Sequence, residues 1–159
     1  MDPFYLSWKA KQTGFEARFI ELAGQVNSSM PYHIVTIVTE VLNDREKSLR
    51  GSNILVLGVA YKRDVDDVRE SPAIDIIEML LAKGAKVSFA DPHVSELQTN
   101  DESFIAVPVT AETLRGADCV VIIADHRAFD YDLIAREAPL IVDTRNALKD
   151  MRGNHIRRL

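Results

Sequence analysis

The chain has 159 residues and a mass of 17.8 kDa, about the size of one domain. Hydrophobic residues make up 47%, charged residues 27%, and the formal net charge is −5, which argues against nucleic-acid binding through bulk positive charge. No apolar run reaches the ~20 residues of a membrane span, and the first residues carry no signal-peptide pattern. We therefore expect a cytoplasmic protein with no membrane or nucleic-acid partner.

Residues 4–47 carry a helical pattern without a strand. Apolar side chains recur every three or four residues, at Phe15, Phe19, Leu22, Val26 and Met30 and again at Ile34, Ile37, Val38, Val41 and Leu42. Pro31 predicts an interruption, with a new helix that begins there and is capped by Ser29 or Met30. Two helices cannot bury such a stripe alone, so it packs on the rest of the chain or on another chain. We favour an oligomer interface or an interdomain connector.

From residue 51 onward, strands and helices alternate. Apolar runs predict strands at 53–58, 86–90, within 118–124, and at 139–142. Helices are predicted at 73–83, 110–116 and 130–137, the first with Pro72 at its start and Gly84 at its end. This order predicts an α/β fold, a Rossmann-like, doubly wound parallel sheet preceded by a long helical connector. We divide the chain into residues 1–50 and 51–159.

Ligands of doubly wound sheets bind outside the carboxyl ends of the strands. The loops there are 58–71, 90–95, 124–129 and 143–150. A dinucleotide site would need G-x-G-x-x-G in the first loop, which has only Gly58. The fold pattern is therefore predicted without the dinucleotide fingerprint.

Basic side chains in these loops are candidates for holding phosphates. They are Lys62, Arg63 and Arg69 in the first loop, helped by the helix that starts at Ser71, and Arg145 in the last loop. The alternative is a solvated loop whose charges compensate one another, because four acids lie beside these bases. The acids are Asp64, Asp66, Asp67 and Glu70.

Other reactive residues give weaker signals. Cys119, the only cysteine, lies in an apolar strand and is expected to be a small buried hydrophobe rather than a nucleophile. His126 follows a strand end, where a capping or loop role is favoured over a ligand contact. No two histidines have metal-ligand spacing along the chain, so no metal site is expected.

The segment GVAYKRDVDDVRESPAIDIIEML, followed by ADP at 90–92, resembles the UDP-glucose/GDP-mannose dehydrogenase family. The opening DPFYLSWKAK and the segment FEARFIELAGQVNSSMP resemble its branch that acts on UDP-N-acetylhexosamines. The resemblance covers essentially the whole chain in order. It implies an NAD-dependent oxidation of the C6 alcohol of a UDP-sugar to a carboxylate, as in the synthesis of polysaccharide precursors.

The resemblance implies roles for four residues. Asp2 matches an aspartate that assists the catalytic water and general-base steps. Lys62 and Arg145 match residues that contact the UDP-sugar, and Arg69 matches an arginine that reaches NAD held by another domain. The helices at 15–47 match the region around which subunits form homodimers.

Family members carry an NAD domain and a catalytic cysteine ahead of the D-P-F-Y-L run. The resemblance therefore implies a C-terminal part without that domain and cysteine, inactive alone and at most a weak binder of UDP-sugar. Two alternatives stay open. One is an assembly module that dimerises and binds no nucleotide. The other is a flavodoxin-like regulatory domain, which needs a phospho-acceptor aspartate where Gly58 and Ala124 stand, although Asp125 is one residue away.

Overall fold

A computed structural model describes residues 2–100 and 102–159, and for residues 2 and 3 it describes only the backbone. Two helices come first, α1 (Asp2–Gln12) and α2 (Arg18–Asn43). The elements that follow are β1 (Asn53–Leu57), α3 (Pro72–Ala82), β2 (Lys86–Ala90), β3 (Glu96–Gln98), β4 (Ser103–Ile105), α4 (Ala111–Gly116), β5 (Cys119–Ile122), α5 (Tyr131–Glu137), β6 (Ile141–Asp143) and β7 (Ile156–Arg158). Within the described residues, no helix is both long and apolar enough to span a membrane.

Five strands form one parallel sheet in the order β2-β1-β5-β6-β7. The chain runs from β1 outward to β2 and then crosses to β5 on the other side of β1. The strand order therefore reverses between β1 and β5, and such a switch point opens a crevice at the carboxyl ends of the strands. The α/β fold with a parallel, Rossmann-like sheet is confirmed.

Helices cover both faces of the sheet. Alternate residues of β1 point to opposite faces: Ile54 and Val56 pack in the cluster that includes α2 and α3, and Leu55 and Leu57 pack in the cluster that includes α4 and α5. All four are almost fully buried. A strand buried on both faces requires a continuous apolar run, which is the pattern that predicted β1.

Side-chain caps fix the starts of the three short helices. The Ser71 hydroxyl accepts a hydrogen bond from the Ala73 amide at the start of α3, as expected for the helix after Pro72. Thr110 forms a capping box at α4, and the Asp130 carboxylate accepts from the amide of Leu133 at α5. The predicted positions of these helices agree with the structure to within two residues.

Contrary to the prediction, Pro31 does not interrupt the second helix. α2 runs through it, and the break lies earlier, between Gln12 and Arg18, where Gly14 adopts a φ of +79°. Proline removes one amide donor, which leaves the carbonyl of Asn27 without its helical partner. Asn27 is exposed, so water can satisfy that carbonyl and the helix continues.

The apolar stripe of α2 has two different environments. The half from Ile34 to Leu42 is buried against the sheet and α3. The other half is open within this chain: Phe19 is 89% exposed, and Leu22 and Val26 are more than half exposed. α1 packs on this half through the Ser7 hydroxyl, which donates to Glu21 at 2.8 Å, and through the Phe4 ring, which lies against Gly24. It leaves the apolar stripe uncovered.

Three short strands were not predicted. β3 and β4 form a separate antiparallel pair, and β7 adds a parallel edge strand beside β6. Each has only three residues, with the sequences ELQ, SFI and IRR, which is too short for a hydrophobic alternation to be recognised. Their pairing depends on backbone hydrogen bonds, which leave no hydrophobic pattern in the sequence.

Gly58 allows the loop after β1 to cross the end of β5. Its φ is +79°, and a Cβ atom there would lie 2.3 Å from the carbonyl oxygen of Ala124. The Gly58 amide donates to the Ala90 carbonyl at 2.9 Å, which also ties this loop to β2. The residue therefore joins three strand ends at the switch point.

We predict that Gly58→Ala lowers the free energy of unfolding by about 3 kcal/mol or more, because a positive φ and a backbone overlap act together. Urea unfolding followed by circular dichroism measures the change. The control is Gly116→Ala, where a Cβ meets nothing within 4 Å; a change of about 0.5 kcal/mol or less is expected there. Equal effects at the two glycines would contradict the prediction.

Candidate functional site

Asp91, at the end of β2, organises the carboxyl edge of the sheet. Its side chain is fully buried, and both oxygens accept hydrogen bonds. The donors are the amides of Val59, Ala60, His93 and Val94, at 2.7, 3.2, 2.8 and 3.2 Å, and the ring of His126 at 3.0 Å. One carboxylate therefore joins the loops that follow β1, β2 and β5.

His126 is a fully buried histidine in this network. The backbone N–H of Asp64 donates to its Nδ1 at 2.9 Å, so Nδ1 is an acceptor and the ring proton is on Nε2. Nε2 then donates to Asp91. The neutral ring holds the loop after β1 against the end of β2, which is the loop role that the sequence favoured over a ligand contact.

The fold brings together three groups that the sequence spacing does not connect. Asp64, His93 and His126 each have one ligand atom within 4.8 Å of the others. The Nδ1 lone pair of His126 already accepts the Asp64 amide, however, and its Nε2 carries a proton. That leaves His93 and Asp64, whose carboxylate also accepts the Arg127 amide, and two ligands do not make a typical protein site for a transition metal.

Asp143, at the end of β6, is also fully buried, and its donors among the described residues are backbone amides. Its carboxylate accepts from the amides of Arg145 at 3.0 Å, Ala147 at 3.1 Å and Leu148 at 2.9 Å. These bonds fix the turn after β6. The Arg145 side chain is left 52% exposed at the edge of the sheet.

Asp125, just after β5, contacts side chains instead. It is 7% exposed, and its Oδ2 pairs with the Arg63 guanidinium. Its Oδ1 lies 3.5 Å from Nε of Arg145. A buried carboxylate thus joins two arginines from the loops after β1 and β6, and it is engaged rather than open as a phospho-acceptor would be.

Of the predicted site residues, Lys62 and Arg69 lie in the loop after β1. Lys62 is exposed, with its Nζ 5.2 Å from the centre of the Tyr61 ring. Arg69 is 86% exposed and forms two side-chain hydrogen bonds to Asp67, at 2.9 and 2.8 Å. These bonds lower the pKa of Asp67 to about 2. The positive charge of Arg69 is therefore compensated within its own loop, by Asp67, whereas Arg63 pairs with Asp125 from another loop.

The remaining predictions concern Asp2 and Cys119. The side chain of Asp2 lies outside the described part of the chain. Cys119 lies inside β5 with no exposed surface, and burial raises the pKa of its thiol to about 12. The prediction that Cys119 is a buried hydrophobe is confirmed. Sequence reasoning missed Asp91 and Asp125 as functional side chains, because their partners come from distant loops.

The loops at this edge contain strained backbone. Asp64, Glu70 and Asn146 have φ values of 59°, 60° and 57°, in the left-handed region that glycine normally occupies. Such conformations persist only where surrounding contacts determine them, and they concentrate at binding sites. Two hydrogen bonds hold Asp64 in this conformation. Its backbone N–H donates to His126, and its carboxylate accepts from the backbone N–H of Arg127.

A sequence profile of the UDP-glucose/GDP-mannose dehydrogenase family, UDP binding domain, matches residues 55–150. The chain belongs to this family. The matched range contains all four loops of the carboxyl edge. The resemblance carried by the loop after β1 is confirmed.

Individual relatives agree with this assignment. UDP-N-acetyl-D-mannosamine dehydrogenase of Methanococcus maripaludis is 32% identical over 157 residues, which cover 94% of this chain and 34% of that protein. UDP-glucose 6-dehydrogenase of Rickettsia bellii is 31% identical over 149 residues, covering 87% of this chain and 33% of that protein. The NDP-N-acetyl-D-galactosaminuronic acid dehydrogenase structure from Methanosarcina mazei Go1 matches with a TM-score of 0.77 and 26% identity, covering 99% of this chain and 36% of that one. The chain spans about a third of the length of these dehydrogenases.

We predict that Asp91→Asn destabilises the fold by about 2–4 kcal/mol. The new side-chain NH₂ group replaces one carboxylate oxygen, and the backbone N–H groups that donated to that oxygen lose their acceptor. Urea unfolding measures the loss. Asp66→Asn, an exposed change in the loop after β1, is the control, and a shift of about 0.5 kcal/mol or less is expected. An Asp91→Asn protein as stable as the parent would show that the carboxylate does not organise the edge.

Proposed function

We propose that this chain is the UDP-binding and dimerising part of an NAD-dependent UDP-N-acetylhexosamine 6-dehydrogenase. Such an enzyme oxidises a C6 alcohol to a carboxylate for polysaccharide synthesis, and we place it in the cytoplasm. The UDP binding domain itself follows from the family match. The hexosamine substrate is supported by the relatives named as UDP-N-acetyl-D-mannosamine dehydrogenases.

Three exposed basic side chains near the switch point carry the proposal. Lys62, Arg63 and Arg145 come from the loops after β1 and β6 and are exposed there. A diphosphate has negative oxygens along its length, which guanidinium and ammonium groups pair with. In this assignment Lys62 and Arg145 contact the UDP-sugar.

The residues at this edge do not fit an NAD site of their own. A dinucleotide-binding strand–helix turn needs glycines for close approach of the backbone to the pyrophosphate, and the loop after β1 has only Gly58 before α3. The acid that would bind the ribose in such a fold stands near the end of the second strand. Here Asp91 stands there, and its oxygens already accept five hydrogen bonds. We assign Arg69 to contact NAD held by another domain.

The chain alone is proposed to be catalytically inactive. A covalent oxidation through a thiol intermediate needs an accessible thiolate. The single cysteine, Cys119, is buried and has a pKa raised to about 12. Asp2, the proposed assistant of the catalytic water, would act beside a nucleophile that this chain does not supply.

We predict that UDP binds the purified chain and that Lys62→Ala weakens the binding about tenfold, the loss of roughly one charge-assisted contact. Calorimetric titration measures the affinity. Lys83→Ala, which removes an exposed cation at the end of α3 and outside the four loops of this edge, is a matched control and is expected to change the affinity less than about twofold.

Two results would contradict this assignment. The first is reduction of NAD by the pure chain with a UDP-sugar, which would overturn its inactivity. The second is a chain that does not bind UDP and yet dimerises, which would favour the assembly module.

The dimer is supported by the open half of α2 and by α1. Both expose large apolar side chains: Phe4, Tyr5, Leu6 and Trp8 on α1, and Phe19, Leu22 and Val26 on α2. Contiguous apolar surface of this kind is unusual on a monomer and is typical of an interface. We therefore propose that the dimer contact is formed by α2, within the predicted region 15–47, with α1 beside it.

We predict a dimer mass by light scattering and a shift toward monomer for Phe19→Asp, because a buried unpaired carboxylate opposes association. Since Phe19 is 89% exposed within the chain, the variant should remain folded. Gln25→Asp introduces the same charge at an exposed position on α2, about 120° around the helix from Phe19. It is expected to leave the dimer intact. Monomeric wild-type protein would contradict the proposed interface.

A further inference from the structure

We propose that Asp125 is a positioning residue that holds Arg63 and Arg145 together as a two-armed site for the diphosphate group. The proposal rests on the function above, since it identifies which side chains hold the phosphates of UDP. Arg63 becomes a ligand contact in addition to Lys62 and Arg145. Asp125 itself does not touch the ligand.

The three buried aspartates at the carboxyl edge support this assignment by their different partners. Asp91 and Asp143 accept backbone amides, and Asp91 also accepts the His126 ring, so these carboxylates shape loops. The carboxylate of Asp125 contacts guanidinium groups on both oxygens. A carboxylate used to shape a loop needs only backbone donors, so the partners of Asp125 indicate a different task.

The two arginines retain donors for a second anion. A guanidinium has five N–H donors, and a single carboxylate oxygen engages only part of that set. Arg63 and Arg145 are 50% and 52% exposed, so the remaining donors face solvent at the edge. Two positive charges against one negative charge leave a net charge of +1 on the three groups.

Position also favours an anion site. Arg63 lies in the loop after β1 and Asp125 follows β5, the two strands that flank the switch point. Arg145 comes from the loop after β6, the next strand. Ligands of doubly wound sheets occupy this crevice. Buried Asp125 fixes the two flexible side chains before the ligand arrives, so less side-chain entropy is lost on binding.

The competing explanation is a structural clamp, in which Asp125 ties two loops and the arginines bind nothing. Asp125→Asn separates the alternatives by the sign of its effect. Removing a negative charge raises the positive potential, so electrostatics alone predicts tighter anion binding. If Asp125 positions the arginines, the same change weakens binding although the edge becomes more positive.

The test uses the whole chain with inorganic pyrophosphate and UDP as separate probes. Titrations are followed by ¹H–¹⁵N spectra, in which the Nε–H signals of Arg63 and Arg145 report contact directly. We expect both signals to shift with pyrophosphate, and Arg63→Gln and Asp125→Asn to weaken its binding about tenfold and at least threefold. The control, Arg127→Gln, removes an equal charge from a side chain that faces Asp64, and a change under about twofold is expected.

The outcomes distinguish this inference from the proposed function. UDP binding that Arg63→Gln leaves unchanged overturns the inference while the proposed function stands. Pyrophosphate binding that depends on Arg63, without any binding of UDP, supports the anion site and overturns the nucleotide assignment. Tighter pyrophosphate binding by Asp125→Asn, or none by the wild type, overturns the inference. Should Asp125→Asn not fold, the exposed Arg63→Gln change decides the result.

Discussion

The carboxylate of Asp91 is the constraint on which the edge of the sheet depends. Its five hydrogen bonds draw on the loops after β1, β2 and β5, so three chain segments converge on one buried charge. A buried carboxylate is tolerated only when its oxygens are well satisfied, and removing part of that set is costly. The same network holds the strained backbone of Asp64 through His126. This contact fixes the part of the loop after β1 that carries Lys62 and Arg63.

The same constraint separates this sheet from a dinucleotide site of similar topology. In the dinucleotide fold, an acid near the second strand remains free to bind a ribose, and glycines open the first turn for the pyrophosphate. Here Asp91 is saturated internally, and Gly58 serves the close approach to Ala124. The fold is shared, but phosphate contacts at this edge must come from side chains. Long basic residues in the loops after β1 and β6 are suited to that task.

The sequence predicted the parts of the fold that depend on hydrophobic pattern. Strands β1, β2, β5 and β6 and helix α3 follow from apolar runs and turn residues, because burial leaves a continuous signal. β3, β4 and β7 escaped prediction because their backbone pairing leaves no such signal. The break predicted at Pro31 was wrong because solvent can satisfy the carbonyl that the proline leaves without a partner. At the site, the basic residues could be recognised within single loops. The roles of Asp91 and Asp125 depend on contacts with other loops, at residues 20 to 62 positions away along the chain.

The exposure of the two arginines also explains why a nucleotide site at this edge would be weak on its own. A pair of unit charges 4 Å apart is worth about 1 kcal/mol in bulk water and about 4 kcal/mol at the effective dielectric of a protein surface. Arg63 and Arg145 are about half exposed, so their attraction for a diphosphate lies nearer the lower figure. A second protein surface that excluded water from the crevice would raise it without moving either side chain. Asp125 already holds the guanidinium groups of Arg63 and Arg145 in place, so such a surface would only have to exclude water.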